Sequence, residues 1–590
     1  VVGNGAVTAE TYVAADPATA RPRLNWAIRA ERLVAFLVPL AGYLWVGVQL
    51  SLVYHSYIGD AVSREANAFY VFFSNDPHLA AIGFVWNPLT SISEMPLILL
   101  KGFWPALTAD GFAASIMSAL FMAGCCYQLI RFMEDLGVGR VARWLLVACF
   151  ALNPMIIYSG GNGMSEALFL FTLLAATRRL AGWLVRGGTR DLVASGVWLA
   201  LAYAARNEAA MAALLATIVV LVVTYSRSAG TAHQRRMSAL TDGVVFAAPF
   251  ALSFIGWAAT SWVIVGHPFE QFSSVYGTSS QLKLILKAQH GRAALYSVHG
   301  ALSAITAFAP LLVAILALAI ARAARDREPR ILAVLAIVGG VLLFEIVAFA
   351  LGLINVAERY FIYAIPLAVL LAGVVARPAP RTAAEVREER VEQEIGVTPR
   401  YLNVRRRQRR LLTTLAGAGA VLALIPGMFT IYHEMFYTLI GQSDAEQLAW
   451  IIMPGSPVAQ QYEGFRGQYK GIAAEAAWLD TLHAGEGGIM MDDAVGCIPQ
   501  VILASRHPAQ FTIPNDVNYT ELFGAPYQDG IRYLLVSDPH SEYGTLDSLD
   551  REWPTLYDTG DGLGTRIQQV QIPGCTTTYR VYRLFPQKNS

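Results

Sequence analysis

Long apolar stretches alternate with short polar connections over the first three quarters of the chain, and then the pattern changes. Apolar segments fall near residues 33–54, 112–132, 142–158, 165–184, 191–205, 209–226, 241–265, 300–322, 331–352, 359–376 and 411–432. Several approach the roughly 20 residues that an α-helix needs to cross a hydrocarbon core. A shorter apolar piece at 95–106 reads as interfacial or re-entrant. The pattern predicts a polytopic α-helical membrane protein with about 11 transmembrane helices. After about residue 433 the chain reads differently. A helical period runs over 472–483, and strand-like runs follow at 488–491, 499–503, 533–536 and 579–584. Strands separated by helix or turn patterns predict a small α/β domain over 433–590, long enough to bury its own core.

Composition agrees: 55% of the 590 residues are hydrophobic and 15% are charged, against about 25% charged in soluble domains. The mean hydropathy is +0.44. The net charge of +1 says nothing about partners, but the placement of arginine does. Arg21, Arg23, Arg29 and Arg32 precede the first span. Further groups are Arg131, Arg140 and Arg143; Arg178, Arg179, Arg186 and Arg190; Arg227, Arg235 and Arg236; and Arg322, Arg325, Arg327 and Arg330. The 377–410 segment ends in Arg405-Arg-Arg-Gln-Arg-Arg410. Every second connection is basic, which the positive-inside rule requires of a cytoplasmic face. This predicts a cytoplasmic tail over 1–32, which lacks the apolar core of a signal peptide. It also predicts a membrane module over 33–432, a cytoplasmic loop over 377–410 and an extracytoplasmic C-terminal domain. The basic runs serve topology and anionic headgroups, not nucleic acid. The first outer loop spans 55–94 and a later one 266–299; a short turn, Ser159-Gly-Gly-Asn-Gly-Met-Ser165, lies between them.

Cys125, Cys126 and Cys149 lie in apolar runs and read as packing residues. Cys497 and Cys575 lie in the outer region, where a disulfide between them is possible. No Cys/His spacing suggests zinc.

Candidate chemistry starts at Asp60, the first carboxylate after the first span. The residues after it have helical spacing, with Val62, Ala66, Phe69, Tyr70 and Phe73 on one side and Arg64, Glu65 and Asn67 on the other. Such a segment would lie flat in the membrane interface. Asp60 is a candidate general base or a helix N-cap. Asp76 and His78 form a weak metal pair at most, and Asp492-Asp493 reads as a solvated strand end. Glu166 follows the Gly-rich turn, where a helix dipole favours an acid and a cavity could use one. Arg206 either pairs with Glu208, snorkels to headgroups or meets a phosphate. Arg359 falls on the outer side, against the trend of the other arginines. Its planar fork suits phosphate, and a bridge to Glu358 is the plainer reading.

In this order the residues resemble the GT-C glycosyltransferase superfamily, above all its protein O-mannosyltransferase and aminoarabinose-transferase branch. The resemblance covers about 30–370. Asp60 and Arg64 match the acidic residue of the family's first outer loop and its neighbour. Trp86-Asn87-Pro-Leu89 is similar to a Lys-Pro-Pro-Leu motif, although the lysine is absent. Asn153-Pro154, Tyr158 and Ser165-Glu166 resemble a Pro-to-Glu pattern leading into a span. Ala205-Arg206-Asn-Glu208 looks like a Thr-Arg-x-Glu turn, Gly266-His267-Pro-Phe like a Gly-Asn-Pro opening, and Glu358-Arg359-Tyr-Phe with Pro366 like an Arg-Tyr motif whose arginine meets a lipid phosphate. The resemblance implies a polyprenyl-phosphate sugar as donor and inverting transfer of mannose, arabinose or another pentose-like sugar to an acceptor hydroxyl. It implies Asp60 as the catalytic residue. Arg359, Arg206, Glu166, Arg64, Asn87, His267 and Glu358 would bind substrate. No cofactor and no divalent metal are expected. A glycan, glycolipid or protein acceptor and a bacterial plasma membrane fit this reading, in cell-envelope or cell-wall biosynthesis. A lipid-linked glycan transporter or flippase, or a non-catalytic envelope scaffold, are the alternatives.

Overall fold

Glu31 and Glu134, at the start of one long helix and the end of another, mark one end of a helical bundle; Asp60 stands near the opposite end. The computed structural model describes residues 26–56, 59–277, 280, 296–379, 400–437, 447–461, 463, 468–541, 544–575 and 577–586. Most of the expected tail, much of the 266–299 loop and the middle of the 377–410 loop lie outside the described residues.

The membrane module is built from α1 (Trp26–Gly47), α2 (Gly59–Phe73), α3 (Leu89–Ile98), α4 (Phe112–Asp135), α5 (Arg140–Ala151), α6 (Glu166–Arg186), α7 (Thr189–Ala205), α8 (Ala209–Arg227), α9 (Ala232–Val265), α10 (Val298–Phe308), α11 (Leu312–Asp326), α12 (Arg330–Ala350), α13 (Ala364–Ala376), α14 (Arg400–Leu422) and α15 (Ile425–Tyr437). Among the described residues 8 helices are long and apolar enough to cross a membrane, or 9 if the bent pair α10–α11 counts as one span. Two further segments fall short of that length as single helices: 140–159, which is broken, and α7. The 142–158 segment breaks at Asn153-Pro154, because proline has no N–H to continue the ladder. The Asn153 side chain accepts from the Met155 amide at 3.1 Å and opens a new turn, Pro154–Ser159. The 191–205 segment forms α7, a helix of 17 residues. Pro310 stands at the 80° bend between α10 and α11.

At one end of the bundle arginines meet acids. Arg32 reaches Glu134 at 2.7 Å, Arg143 reaches Glu31 at 2.6 Å and Arg178 reaches Asp135 at 2.8 Å. The 24 residues of α4 separate this network from the other end by about 36 Å. There Glu65 accepts from the Ala114 amide in the first turn of α4, at 3.3 Å, where the helix dipole favours a carboxylate.

The C-terminal region holds α16 (Gln468–Asp480), α17 (Ile498–Ala504) and a five-stranded sheet. Its strands are β1 (Ile489–Met491), β2 (Phe511–Thr512), β3 (Tyr533–Ser537), β4 (Gly564–Gln571) and β5 (Thr578–Leu584), in the order β2-β1-β3-β5-β4. The first three strands run parallel, and β5 and β4 pair antiparallel. The run at 499–503, expected as a strand, is the buried helix α17. Pro499 suits a first helical turn, and a short apolar run cannot by itself separate a buried strand from a buried helix. The edge strand β4 was not expected because its sequence is mostly polar and exposed. Cys497 and Cys575 form a disulfide with Cα atoms 5.9 Å apart.

This domain does not stand off the bundle. Ala61, Val62, Phe69 and Tyr70 of α2 share one hydrophobic core with Ile472, Leu479, Val501, Ile502 and Phe511. Arg64 and Glu65 are buried and Asn67 is half-buried; Arg64 lies over Trp86 and Glu65 on the Ala114 amide, while the C-terminal domain packs on the apolar side. Polar contacts secure the seat. Asn515 donates to the Ala81 carbonyl at 2.7 Å, the Val517 amide to Asp76 at 3.2 Å, and the Tyr276 hydroxyl to Asp492 at 2.7 Å.

Candidate active site

Asp60 lies in the first turn of α2, inside the helix and not at its cap. Arg359 lies in a 3-10 turn, Glu358–Phe361, that leads into α13. The Arg359 guanidinium donates through Nη2 to Asp60 Oδ2 at 2.6 Å. Both line a cavity of about 200 Å³ together with Tyr158, Ser159, Asn162 and Glu166. The Gly-rich turn forms one wall. A Cβ on Gly161 would meet the Gly47 amide nitrogen at 2.8 Å, and Gly163 has φ +77° with the Ala114 Cβ 2.9 Å from where its own would be. Glycine there lets the turn press against α1 and α4 and present Asn162 to the cavity.

Arg206, between α7 and α8, organises a second layer. Nη1 donates to Glu166 Oε1 at 2.9 Å and to Ser165 Oγ at 3.2 Å, while Nη2 reaches Glu208 Oε1 at 2.5 Å. The Glu208 pairing is thus made, and Glu166 joins it. Glu345 in α12 is fully buried and faces the same cluster of Glu208, Arg206 and Glu166. Sequence reading passed over it, although a lone acid inside an apolar span is a functional signal in itself. Asn355, which also lines the cavity, gave no such signal.

Arg64 supports Asp60 from within the same helix. Its Nη1 donates to the Asp60 carbonyl at 3.0 Å, and its guanidinium stacks 4.5 Å over the Trp86 ring. Burial pushes the Asp60 carboxyl up, but Arg359, Arg64 and Arg206 together hold it below the usual carboxylate range. Asp60 is therefore ionised at neutral pH.

The other candidates divide. Asn87 donates to the Tyr203 carbonyl and to Asn207 Oδ1 at 3.1 Å, tying the first outer loop to the Arg206 turn. Glu358 is buried beside Arg359. His267 is exposed, and its carbonyl accepts from the Ser261 hydroxyl at 2.6 Å; it is not among the residues lining the cavity. Asp76 and His78 stand 3.7 Å apart. Among the described residues no group of 3 or more His, Cys, Asp and Glu is placed to hold a metal.

No protein-family model and no curated protein matches the chain. Solved structures do. ArnT from Cupriavidus metallidurans, bound to undecaprenyl phosphate, is 11% identical with a TM-score of 0.48, over 96% of this chain and 100% of that one. The mycobacterial arabinofuranosyltransferase AftD is 17% identical with a TM-score of 0.42, over 95% and 42%. The oligosaccharyltransferase AglB of Archaeoglobus fulgidus, in complex with an inhibitory peptide and a dolichol-phosphate, is 11% identical with a TM-score of 0.36, over 94% and 74%. With these TM-scores below 0.5, the functional reading rests on the cavity and its charges.

Proposed function

We propose that this chain is an integral-membrane glycosyltransferase that moves a sugar from polyprenyl phosphate to an acceptor hydroxyl. The observation that carries the reading is the meeting of the Asp60 carboxylate and the Arg359 guanidinium in one wall of the cavity. A base and a fixed cation side by side are what this displacement needs. The acceptor oxygen attacks the anomeric carbon as the bond from that carbon to the phosphate oxygen breaks, with the electron pair leaving on phosphate. Asp60 takes the hydroxyl proton. Arg359 stabilises the charge that builds on the leaving phosphate. A single displacement inverts the anomeric centre.

The resting ion pair has a role in this scheme. The donor phosphate competes for the fork of Arg359, and its binding frees Asp60 for the acceptor. Arg206 lies one layer deeper and fixes Glu166 on the cavity wall. No divalent metal takes part in the proposed reaction, because arginines supply the positive charge. Mannose, or arabinose or another pentose-like sugar, is the proposed cargo. The cavity opens on the extracytoplasmic face of a bacterial plasma membrane, with the arginine network of the opposite end in the cytoplasm and the disulfide in the oxidising compartment.

The test is transfer from a radiolabelled polyprenyl-phosphate sugar to endogenous acceptors in membrane vesicles. Asp60→Asn is expected to lose about 100-fold or more of the rate while inserting and eluting like the parent chain. Full activity in that variant overturns the assignment.

A further inference from the structure

A second, larger hollow of about 470 Å³ lies in the outer domain, lined by His483, Tyr527, Arg532, Tyr533, Arg583 and Phe585, among others. It opens at the start of β3 and the end of β5. Asp492, which binds Tyr276 of the membrane module, follows the other end of β1. Tyr533 pairs with Ile489, three residues before Asp492, so the hollow lies about 10 Å along the sheet from that seat.

Its chemistry is one-sided. The lining contains two arginines and a histidine and no carboxylate. Tyr533, Arg583 and Thr565 are directly paired across β3, β5 and β4, so their side chains share one face of the sheet. Arg583 is exposed and makes no side-chain hydrogen bond or ion pair among the described residues. Arg532 is held in place instead. Its Nη1 donates to the carbonyls of Tyr527 at 2.8 Å and Ile531 at 3.1 Å, and its guanidinium stacks 4.5 Å from the Tyr527 ring centre. Those bonds use one nitrogen only and leave Nε and Nη2 without a protein acceptor among the described residues. Phe585 adds an aromatic side chain that is 46% exposed at the rim, a surface that suits the C–H face of a sugar ring better than a bare ion.

We propose that this hollow binds an acidic saccharide, with the carboxylate or phosphate of the sugar held between Arg532 and Arg583 and the ring against Phe585. The site is separate from the cavity at Asp60, and binding there requires nothing of the proposed reaction.

The test uses the full chain in detergent micelles without donor lipid, so that its outcome is independent of transfer activity. Binding of tetragalacturonate, maltotetraose and inorganic phosphate is measured by microscale thermophoresis. Tetragalacturonate is expected to bind. Maltotetraose and phosphate are expected to bind at least about tenfold more weakly. Arg532→Gln with Arg583→Gln is expected to weaken tetragalacturonate about tenfold or more, and Phe585→Ala is expected to weaken it with no change of charge. Arg566→Gln, on the alternate face of β4, is expected to leave it unchanged, and all variants should keep the parent's unfolding midpoint. Absence of tetragalacturonate binding, equal binding by the double variant, or phosphate binding as tightly as the saccharide would each overturn the proposal.

Discussion

Arg359 and Asp60 are 299 residues apart in the chain and 2.6 Å apart in the fold. Each comes from a connection at the same end of the membrane module, and only the closing of the bundle brings them together. The pair sets the acid–base state of the site, because Arg359 is the foremost of the three arginines that hold the Asp60 carboxyl down against its burial.

Arg359→Gln is therefore expected to act in two ways. Loss of a cation aimed at the leaving phosphate should lower the rate about 100-fold. The Asp60 carboxyl should also rise, since burial would be less opposed. Transfer needs the ionised form, so the acid limb of the rate profile should move to higher pH. A pH profile of transfer by the variant and its parent checks this. An unmoved acid limb would separate Asp60 from the titration.

Arg206 makes a different prediction. Its side chain is 11% exposed and compensates Glu166, at 2%, and Glu208, at 11%. Removing one partner of a buried ion cluster leaves the others uncompensated and costs about 3–5 kcal/mol. Arg206→Ala should thus lower the unfolding midpoint of the purified chain. Glu166→Gln in the same background should restore part of it, because one stranded charge is gone. Stability unchanged by Arg206→Ala would show that the cluster is hydrated.

The limits of sequence reading follow from the same residues. Asp60, Arg206 and Arg359 were legible because a charge at the edge of an apolar run is costly unless it has a partner or a task. Their partners were not, since pairing over 299 residues is a property of the bundle. The broken course of the 142–158 segment was not legible, because an averaging window does not register the Asn153-Pro154 break. In the outer domain β1, β3 and β5 were legible as short apolar runs, while β4 was hidden because an edge strand can be polar on both faces. The covering of α2 left no trace in its own sequence. An amphipathic helix reads the same whether its apolar side meets lipid or another domain.

The outer domain carries several carboxyls raised by burial. Asp493, Asp547 and Glu475 are each pushed up to about 7, Asp516 to about 6 and Asp550 to about 8. Unfolded, such groups titrate near about 4. Between about pH 4 and 8 the native domain thus binds more protons than the unfolded chain, so its stability falls as pH rises. The unfolding midpoint of the full chain's outer-domain transition should be higher at acid than at alkaline pH. Asp550→Asn, which cannot lose a proton, should flatten that slope. A midpoint that rises steadily from acid to alkaline pH would contradict the raised values.

The disulfide is a further lever on the same helix. Cys497 stands at the N-terminus of α17, which packs on α2, and Cys575 lies between β4 and β5. The bond closes a stretch with a sequence separation of 78, and removing such a cross-link costs about 2–4 kcal/mol, largely by freeing the unfolded chain. Cys497→Ser with Cys575→Ser should therefore unfold at lower denaturant than the parent. Both cysteines are buried, at 3% and 8% exposure, so a reductant should act on the folded parent only slowly. The consequence should also reach the cavity. With α17 less firmly held, α2 loses part of its cover, and Asp60 rides on α2. Transfer by the double variant should fall less than in Asp60→Asn and should recover when assays are run well below the unfolding midpoint. Limited proteolysis, with cleavage between α16 and β1 appearing first in the double variant, would locate the loosening in the domain that covers α2.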